Sequence, residues 1–299
     1  MAAVNASTLI AVRDNFNALF TRSYQDAPVW HPQLAMLSPS KGAKETYQWL
    51  NDVPQLREWL GERGLKDLTG FDYTLTNKKW EASIKVKRED IERDVLGLYN
   101  PRIQDLGFRG RKHGDRLIGD LIVNGHTDLI WDGKAFFAND HPIGPDVNDN
   151  LLTGGVTAAN FEAAIKQLRQ QKGGNGEPIV GSGRFLLVVG PAGEKAARAL
   201  LNAEIIINSA GTASGTNIWK GAAGLLVVDE LGTNTHWMLA DIGFPLKPFI
   251  YQKETEPRMA MVTDPNDSHV FTTDEFMYGV DYRGNAGYGL YFFAVGSTG

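Results

Sequence analysis

The sequence predicts an α+β fold, in which helices and strands both contribute to the core. Residues 71–86 alternate apolar and charged side chains, as a half-exposed antiparallel strand pair does. Residues 100–124 combine a helix-start signal with an apolar stripe at helical spacing. Residues 185–189 and 288–295 are nearly continuous apolar runs, which is typical of strands buried on both faces.

The composition is that of an ordinary globular protein, with 299 residues, 42% hydrophobic and 22% charged. This length allows one large domain or two of ordinary size. A net charge of −5 argues against a protein whose main role is to bind nucleic acid. The absence of cysteine excludes disulfides, thiolate metal sites and a cysteine nucleophile. No apolar run approaches the ~20 residues that span a bilayer, and we expect no secretion signal and no membrane partner.

The N-terminal segment is predicted to be a helix followed by an extended arm. Apolar residues recur at roughly helical spacing over residues 5–22, and Ser7 or Thr8 can cap the helix start. An extended segment follows that contains Pro28, Pro32 and Pro39 and has too few apolar residues to form its own core. We expect this arm to lie on another surface.

Residues 44–65 alternate large apolar side chains with charges of both signs, and Pro54 and Gly61 interrupt any long helix. Two interpretations remain open for this segment. It is either a partly helical surface element or an extended flap whose aromatics and ion pairs meet a partner chain. The strand pair at 71–86 follows as a predicted hairpin, with its turn at Asn77-Lys78.

A long helix is predicted from Asn100 as N-cap and Pro101 as first helical residue to Gly125 after its C-terminus. Three glycines, Gly107, Gly110 and Gly114, lie on or beside its apolar stripe. Each costs ~1 kcal/mol relative to alanine. We therefore expect another backbone to approach the helix closely there.

The rest of the chain is predicted to alternate short helices and strands. Thr157 should cap a helix over 157–172, and a second helix is expected over 193–202. Strands are expected at 185–189, 225–228, 237–240 and 249–251, and in the C-terminal part at 270–271, 277–282 and 288–295.

The stretch 128–142 places Asp128, Asp132, Asp140 and His141 beside large apolar residues. Carboxylates near a histidine can perform acid–base chemistry or hold a metal. However, Asp132-Gly133 and Asn139-Asp140 are also turn-forming pairs. No supporting catalytic motif accompanies them. We therefore predict no enzyme activity, no metal and no cofactor, and keep a hydrolase using Asp140 and His141 as the less favoured alternative.

Other candidate motifs are weaker. The glycine-rich stretches match neither a dinucleotide fingerprint nor a phosphate loop, and no two histidines have the helical spacing of a zinc site. A basic group on the long helix could face nucleic acid or an anion, or simply be solvated, since three aspartates are interleaved with it. Its members are Arg109, Arg111, Lys112, His113 and Arg116.

Five separated blocks, in this order, resemble the major capsid proteins of Mu-like tailed phages. They are residues 54–59, 96–101, 132–142, 247–252 and 278–283 with 287–289. The resemblance spans nearly the whole chain, and its specificity lies in the order of the blocks.

The resemblance implies the Hong Kong 97-type capsid fold. It implies an N-terminal arm over 1–39 and an extended loop with hairpin over 40–90. A peripheral domain with the long spine helix would comprise 91–155 and 246–278, and an axial domain 156–245 and 279–299. Phe136 and Phe137 would pin the 128–142 loop to the peripheral core, while Asp132, Asp140 and His141 would shape its backbone.

The implied function is a major head subunit whose hexamers and pentamers close an icosahedral shell around viral double-stranded DNA. A separate scaffolding protein, a portal and a decoration protein are the implied partners, with only loose, non-specific proximity to the packaged DNA. The implied location is the virion, after assembly in the cytoplasm of the host bacterium. An encapsulin-like compartment with the same fold remains the alternative.

The charged flap is the predicted contact with neighbouring subunits. Two tryptophans would anchor on the neighbour, and charged pairs would set the register. The predicted contact residues are Trp49, Arg57, Glu58, Trp59, Glu62 and Arg63.

Overall fold

The computed structural model describes residues 6–47, 73–93, 96–144, 146–173, 176–179, 181–207, 213–264 and 267–299. The helices are α1 (Ala6–Asp26), α2 (His31–Leu34), α3 (Arg88–Glu92), α4 (Asn100–Asn124), α5 (Ala158–Gln170), α6 (Glu194–Asn202) and α7 (Ser268–Thr273). Short 3₁₀ helices span Leu96–Leu98, Asp229–Leu231 and Tyr291–Phe293.

The strands of the described residues form two larger sheets and three small two-stranded ones. They are β1 (Ala35–Pro39), β2 (Lys44–Tyr47), β3 (Tyr73–Thr76), β4 (Lys78–Lys87), β5 (His141–Ile143), β6 (Asp146–Asn148), β7 (Leu151–Leu152), β8 (Phe185–Val189), β9 (Ile205–Ile207), β10 (Ala213–Thr216), β11 (Ala223–Val227), β12 (Trp237–Asp241), β13 (Phe249–Lys253), β14 (Arg258–Val262), β15 (Glu275–Tyr288) and β16 (Ala294–Ser297).

The first sheet is organised around the long strand β15. Its order is β1-β13-β15-β14, and β4 pairs antiparallel with β15 from Glu275 to Gly284. Strand β1, from the predicted N-terminal arm, joins the edge of this sheet in parallel with β13. This strand of the predicted arm therefore lies on its own chain.

The predicted hairpin at 71–86 is wrong in its pairing, although its strands exist. In the described part of the chain β3 pairs with β2, whereas β4 pairs with β15. The alternation of apolar and charged residues reports only that a strand has one buried face. It does not identify the partner, and β15 offers β4 a ladder of ten residues.

The second sheet has the order β11-β8-β12-β16-β7 and mixes parallel and antiparallel pairs. Helices α5 and α6 cover it through Phe161, Ala197 and their neighbours, which pack against Leu187 and Val189 of β8. Thr157 caps α5 as predicted, since its side chain accepts a hydrogen bond from the Asn160 N–H at 3.1 Å.

Helix α4 contacts the first sheet and the 3₁₀ helix Asp229–Leu231, and α1 lies along its side. It begins one residue earlier than predicted, with Tyr99 rather than Asn100 at the N-cap. Gly125 does not adopt the left-handed conformation expected after a helix, because its φ is −60°. Its lack of a side chain serves packing instead, since a Cβ there would lie 2.8 Å from Phe137 Cε2.

The C-terminal part differs from the prediction at two places. Val270 and Phe271 lie in helix α7 and not in a strand. The apolar run 288–295 is divided between the end of β15, a 3₁₀ turn and β16 in the second sheet. The predicted domain boundary at 278/279 consequently falls inside β15, and the chain enters the second sheet only at β16.

Candidate functional site

Residues 128–144 and 146–150, defined here as the junction loop, lie between the two sheets. Phe136 stacks on Tyr288 of the first sheet, with ring centroids 4.9 Å apart, and also contacts Phe249. The same core contains Val188 and Met238 of the second sheet. The loop is thus a structural bridge rather than a surface cleft.

Phe137 is fitted between two glycines. A Cβ on Gly296 of β16 would lie 2.5 Å from Phe137 Cγ, and one on Gly125 would lie 2.8 Å from Cε2. Because real Cβ atoms do not approach this closely, both positions need glycine for the ring to keep its place. The ring therefore links the end of α4 to β16.

His141 and Asp132 form a buried pair in the junction loop. His141 Nδ1 lies 2.6 Å from Asp132 Oδ2, and both side chains are fully buried. The His141 ring stacks on Tyr291, with centroids 3.8 Å apart and an interplanar angle of 8°. Such a pair resembles a catalytic dyad, but its burial leaves it no access to a substrate.

Asp132 also shapes the turn in which it stands. Its Oδ1 accepts a hydrogen bond from the Lys134 N–H at 2.9 Å. Gly133 between them has φ +78°, a conformation that L side chains rarely adopt. Asp132 is therefore a turn residue that also anchors His141.

The alternative assignment of a hydrolase using Asp140 and His141 is not supported by the geometry. Asp140 is half exposed and forms an ion pair with Lys134. The His141 nitrogens face Asp132 and Asn150 instead. The two candidate residues thus do not act on each other, despite being adjacent in sequence.

Asn150 is the centre of the loop's hydrogen bonds, and the sequence analysis did not select it. Its Nδ2 donates to the carbonyls of Phe136 at 2.9 Å and Ala294 at 3.1 Å, and its Oδ1 accepts from the Ala138 N–H at 2.9 Å. The side chain is fully buried. The available signal was the Asn148-Asp149-Asn150 cluster directly before an apolar pair, which is a place for buried polar side chains.

Asp115 of α4 forms a second buried junction, with the N-terminal segment. Its Oδ1 accepts hydrogen bonds from the N–H groups of Trp30 and His31 and lies 2.8 Å from His31 Nδ1. Lys112 Nζ lies 2.6 Å from Oδ2. Burial favours a raised pKa for this carboxyl, but the hydrogen bonds from His31 and Lys112 outweigh it and hold the pKa below its ordinary value.

The helix glycines differ in what they approach. A Cβ on Gly107 would lie 2.5 Å from the Phe20 carbonyl oxygen of α1, and one on Gly114 would lie 2.8 Å from His31 Cε1. At Gly110 the nearest atom would be Tyr24 Cδ2, at an ordinary 3.8 Å. The close backbone approach is therefore at Gly107, whereas Gly114 accommodates the His31 ring.

The basic group on α4 is not a continuous positive surface. Arg109 pairs with Asp105 and Lys112 with Asp115. His113 packs between Trp80 and Tyr282, and burial together with the charge of Arg116 lowers its pKa to about 4. Much of the positive charge is thus neutralised, and His113 is uncharged at neutral pH.

No metal or membrane site emerges from the described residues. Among them no three histidine, aspartate or glutamate side chains are grouped as metal ligands. Within the same residues, no helix has the length and apolarity to cross a bilayer. The predicted contact residues at positions 49, 57, 58, 59, 62 and 63 lie outside the described residues.

Comparison with known proteins gives one consistent result. The family model of the Mu-like prophage major head subunit gpT matches residues 9–154, 150–231 and 229–299. The Mu-like prophage FluMu major head subunit of Haemophilus influenzae is 29% identical, over 97% of this chain and 73% of that protein. The major capsid protein of Escherichia phage Mu is 25% identical, over 99% and 75%.

The same result holds for solved structures. A chain of the bacteriophage JBD30 procapsid superposes with a TM-score of 0.64 and is 28% identical, covering 99% of this chain and 76% of that one. A chain of the JBD30 capsid superposes with a TM-score of 0.52 at 22% identity, which supports the fold.

Proposed function

This chain belongs to the family of the Mu-like prophage major head subunit gpT, and from that membership we propose how its copies build a head. It is a major head subunit, a structural shell-forming protein with the Hong Kong 97-type fold, and not an enzyme. The observation that carries this conclusion is the family match, which extends over both sheets and the junction between them.

We propose that copies of the chain form hexamers and pentamers, which close an icosahedral shell around double-stranded DNA. Many moderate contacts suit this task, because weak contacts let misplaced copies dissociate while multivalency makes the closed shell durable. The net charge of −5 suits a shell around DNA, since a strongly basic shell would bind the packaged genome to its inner surface.

Within the subunit, the first sheet with α4 is assigned as the peripheral domain and the second sheet with α5 and α6 as the axial domain. The junction loop connects the two proposed domains, because its buried residues pack against both sheets. A shell subunit needs a fixed angle between its parts, since every copy must meet its neighbours in defined positions.

The segment between β2 and β3 is the proposed contact with a neighbouring subunit. Its two ends are held together, since Tyr47 of β2 pairs with Tyr73 of β3. Gln252 of β13 accepts a hydrogen bond from Tyr47 Oη at 2.8 Å and donates to the Leu75 carbonyl. The two ends of the segment are therefore fixed, and its sequence contains two tryptophans and charges of both signs.

The further partners are proposed on the family resemblance alone. They are a separate scaffolding protein, a portal and a decoration protein, with assembly in the host cytoplasm. Contact with DNA would be loose, because paired acidic residues interrupt the basic group of α4.

The test is expression of the chain followed by sedimentation and electron microscopy. Closed particles of uniform size are expected, either alone or with a co-expressed scaffolding protein. Small monomers under every assembly condition would contradict the proposal. Particles from infected cells that hold a protein cargo in place of DNA would favour the encapsulin-like alternative.

A further inference from the structure

Two isoleucines stand exposed on the small two-stranded sheet formed by β9 and β10. Ile205 begins β9 and Ile218 follows β10, and their side chains are 54% and 75% exposed. The backbones that carry them are joined, because Ile205 pairs with Thr216 and the Asn217 N–H donates to the Glu204 carbonyl at 2.8 Å. We call Ile205 and Ile218 the apolar ridge. Grouped exposed apolar side chains mark interaction surfaces.

The backbone beneath the ridge is firmly anchored. Asn217 is buried, and its Nδ2 donates to the carbonyls of Leu200 at 2.6 Å and Ala203 at 2.9 Å at the end of α6. Its Oδ1 accepts from the Trp219 N–H at 3.0 Å. A surface held in place in this way loses little conformational freedom on binding, which favours association.

A groove of about 540 Å³ lies beside the ridge, between α5 and Trp219. Ala159 and Ala163 are four residues apart on α5, so they share one face, and their small side chains leave the groove open. Trp219 forms one wall and is held in edge-to-face contact with Phe161, at 5.4 Å between centroids. We call this space the α5 groove.

The charges beside ridge and groove are complementary. Lys166 and Arg169 line the groove together with Glu162, which leaves it one net positive charge, and none of the three forms an ion pair among the described residues. Glu204 flanks the ridge with its side chain 80% exposed, and its partner there is Lys220 at 2.6 Å. If Glu204 approaches Lys166 and Arg169, these charges determine the orientation of the contact more than they add to its affinity.

The sheet that carries the ridge also needs support. In the described part of the chain β9 pairs only with β10. An isolated two-stranded sheet is marginally stable in water and gains stability by packing on another surface. For a chain that functions by assembling with copies of itself, the α5 groove of another copy is such a surface.

We propose that the apolar ridge of one subunit docks into the α5 groove of a second subunit in the assembled shell. This contact rests on the proposed function and identifies one of the surfaces through which copies meet. Ile218 enters beside Trp219 of the neighbour, over Ala159 and Ala163, while Glu204 approaches Lys166 and Arg169.

Disulfide trapping tests the contact directly, because the chain contains no cysteine of its own. Subunits with Ile218→Cys and subunits with Ala163→Cys are mixed before assembly and then oxidised mildly. A disulfide requires Cα atoms within about 7 Å. The expected product is a covalent dimer whose linked peptides, identified by mass spectrometry, join positions 218 and 163.

Two controls define the result. Ile218→Cys mixed with Lys85→Cys of β4, an exposed position in the first sheet, should give no linked dimer. Ala159→Cys replaces Ala163→Cys if the latter disturbs α5, since Ala159 is exposed. The same 218-to-groove disulfide is then expected.

Particles that form normally without this disulfide, from both groove variants, would overturn the contact and leave the proposed function intact. Normal particle yield from Ile218→Lys would overturn it as well, because an ammonium group brought close to Lys166 and Arg169 should reduce the yield at least tenfold. Failure of the unmodified chain to form any particle would instead contradict the proposed function, and this contact with it.

Discussion

Asn150 and Asp115 are buried polar side chains that join parts of the molecule distant in sequence, whereas His141 and Asp132 pair within one loop. Asn150 connects the junction loop to β16, and Asp115 connects α4 to the N-terminal segment. Buried polar groups are costly when unpaired and specify one arrangement when satisfied. In a shell subunit such residues fix the relative positions of the surfaces that contact neighbours.

Replacement of His141 tests whether the buried pair is structural. His141→Ala leaves the Asp132 carboxylate buried without its partner and should reduce the unfolding free energy by about 3–5 kcal/mol. Asp140→Ala is the matched control, because its exposed ion pair with Lys134 should be worth less than about 1 kcal/mol. Urea unfolding of unassembled subunits measures both. Equal effects would contradict the structural role of His141.

The stability of the subunit should decrease in mild acid. Burial lowers the pKa of both His113 and His126 to about 4, with Arg116 and His236 respectively adding to the effect, against 6.5 for a free histidine. Between pH 4 and 6.5 the two histidines therefore bind protons in the unfolded chain but stay neutral in the folded chain. The stability contributed by the neutral rings is fully present above pH 6.5 and is lost as the pH falls toward about 4.

Unfolding free energies measured between pH 4 and 8 should show this decrease, and His126→Gln should flatten part of it. A constant unfolding free energy from pH 6.5 to 4 in the unmodified chain would contradict the lowered pKa values of His113 and His126. Asp115 acts in a separate, more acidic range, because its pKa is lowered from 3.8.

At the scale of elements, α4 depends on how closely α1 approaches it. Gly107→Ala places a Cβ against the Phe20 carbonyl and should destabilise the subunit by about 1–3 kcal/mol, or more if α1 cannot shift. Gly110→Ala is the matched control on the same helix. It meets only ordinary contacts and should stabilise by up to about 1 kcal/mol, through the better helix propensity of alanine.

Thermal or urea unfolding of the two variants gives opposite signs if the packing is as described. Two stabilising substitutions would mean that α1 does not lie against Gly107. Two destabilising ones would place an unexpected neighbour at Gly110.

The elements that the sequence predicted well are those determined by local signals. Helix α4 has a start signal and an apolar stripe, α5 has its Thr157 cap, and β8 is an apolar run of strand length. The pairing of β4 with β15 was missed because strand partners far apart in sequence leave no local trace. The run 288–295 was misassigned because hydrophobicity indicates burial but not where a strand ends.

The candidate site was predicted only in part, for a similar reason. The sequence places Asp132 and His141 in one loop, and the turn-forming pairs there predict that Asp132 shapes the backbone. The hydrogen bond from the Lys134 N–H to Asp132 agrees with this prediction. The hydrogen bonds of Asn150 depend on Ala294, which is distant in the sequence, and only the folded chain reveals them.

At the scale of the whole molecule, the two sheets share one continuous core through the junction loop and α4. The surfaces proposed to contact neighbours are the segment between β2 and β3 and the apolar ridge with its groove. A rigid centre with peripheral contacts allows one chain to occupy many equivalent positions in a shell.

Substitution in the segment between β2 and β3 should separate folding from assembly. Trp59→Ala, or reversal of charge at both Arg57 and Arg63, is expected to reduce particle formation at least tenfold, because anchoring and register at the neighbour are lost. The unassembled variants should keep the circular dichroism spectrum and unfolding midpoint of the parent. Particle yields are compared by sedimentation. Normal yields would remove this segment from the assembly mechanism.

The most direct test of the central claim is a cryo-electron microscopy reconstruction of particles formed by this chain. We expect a closed shell in which every position is filled by the fold described here, with α4 and the junction loop visible in each copy and neighbours meeting through the peripheral surfaces. A preparation that contains only monomers, or particles whose shell is made of another protein, would contradict the assignment as a head subunit.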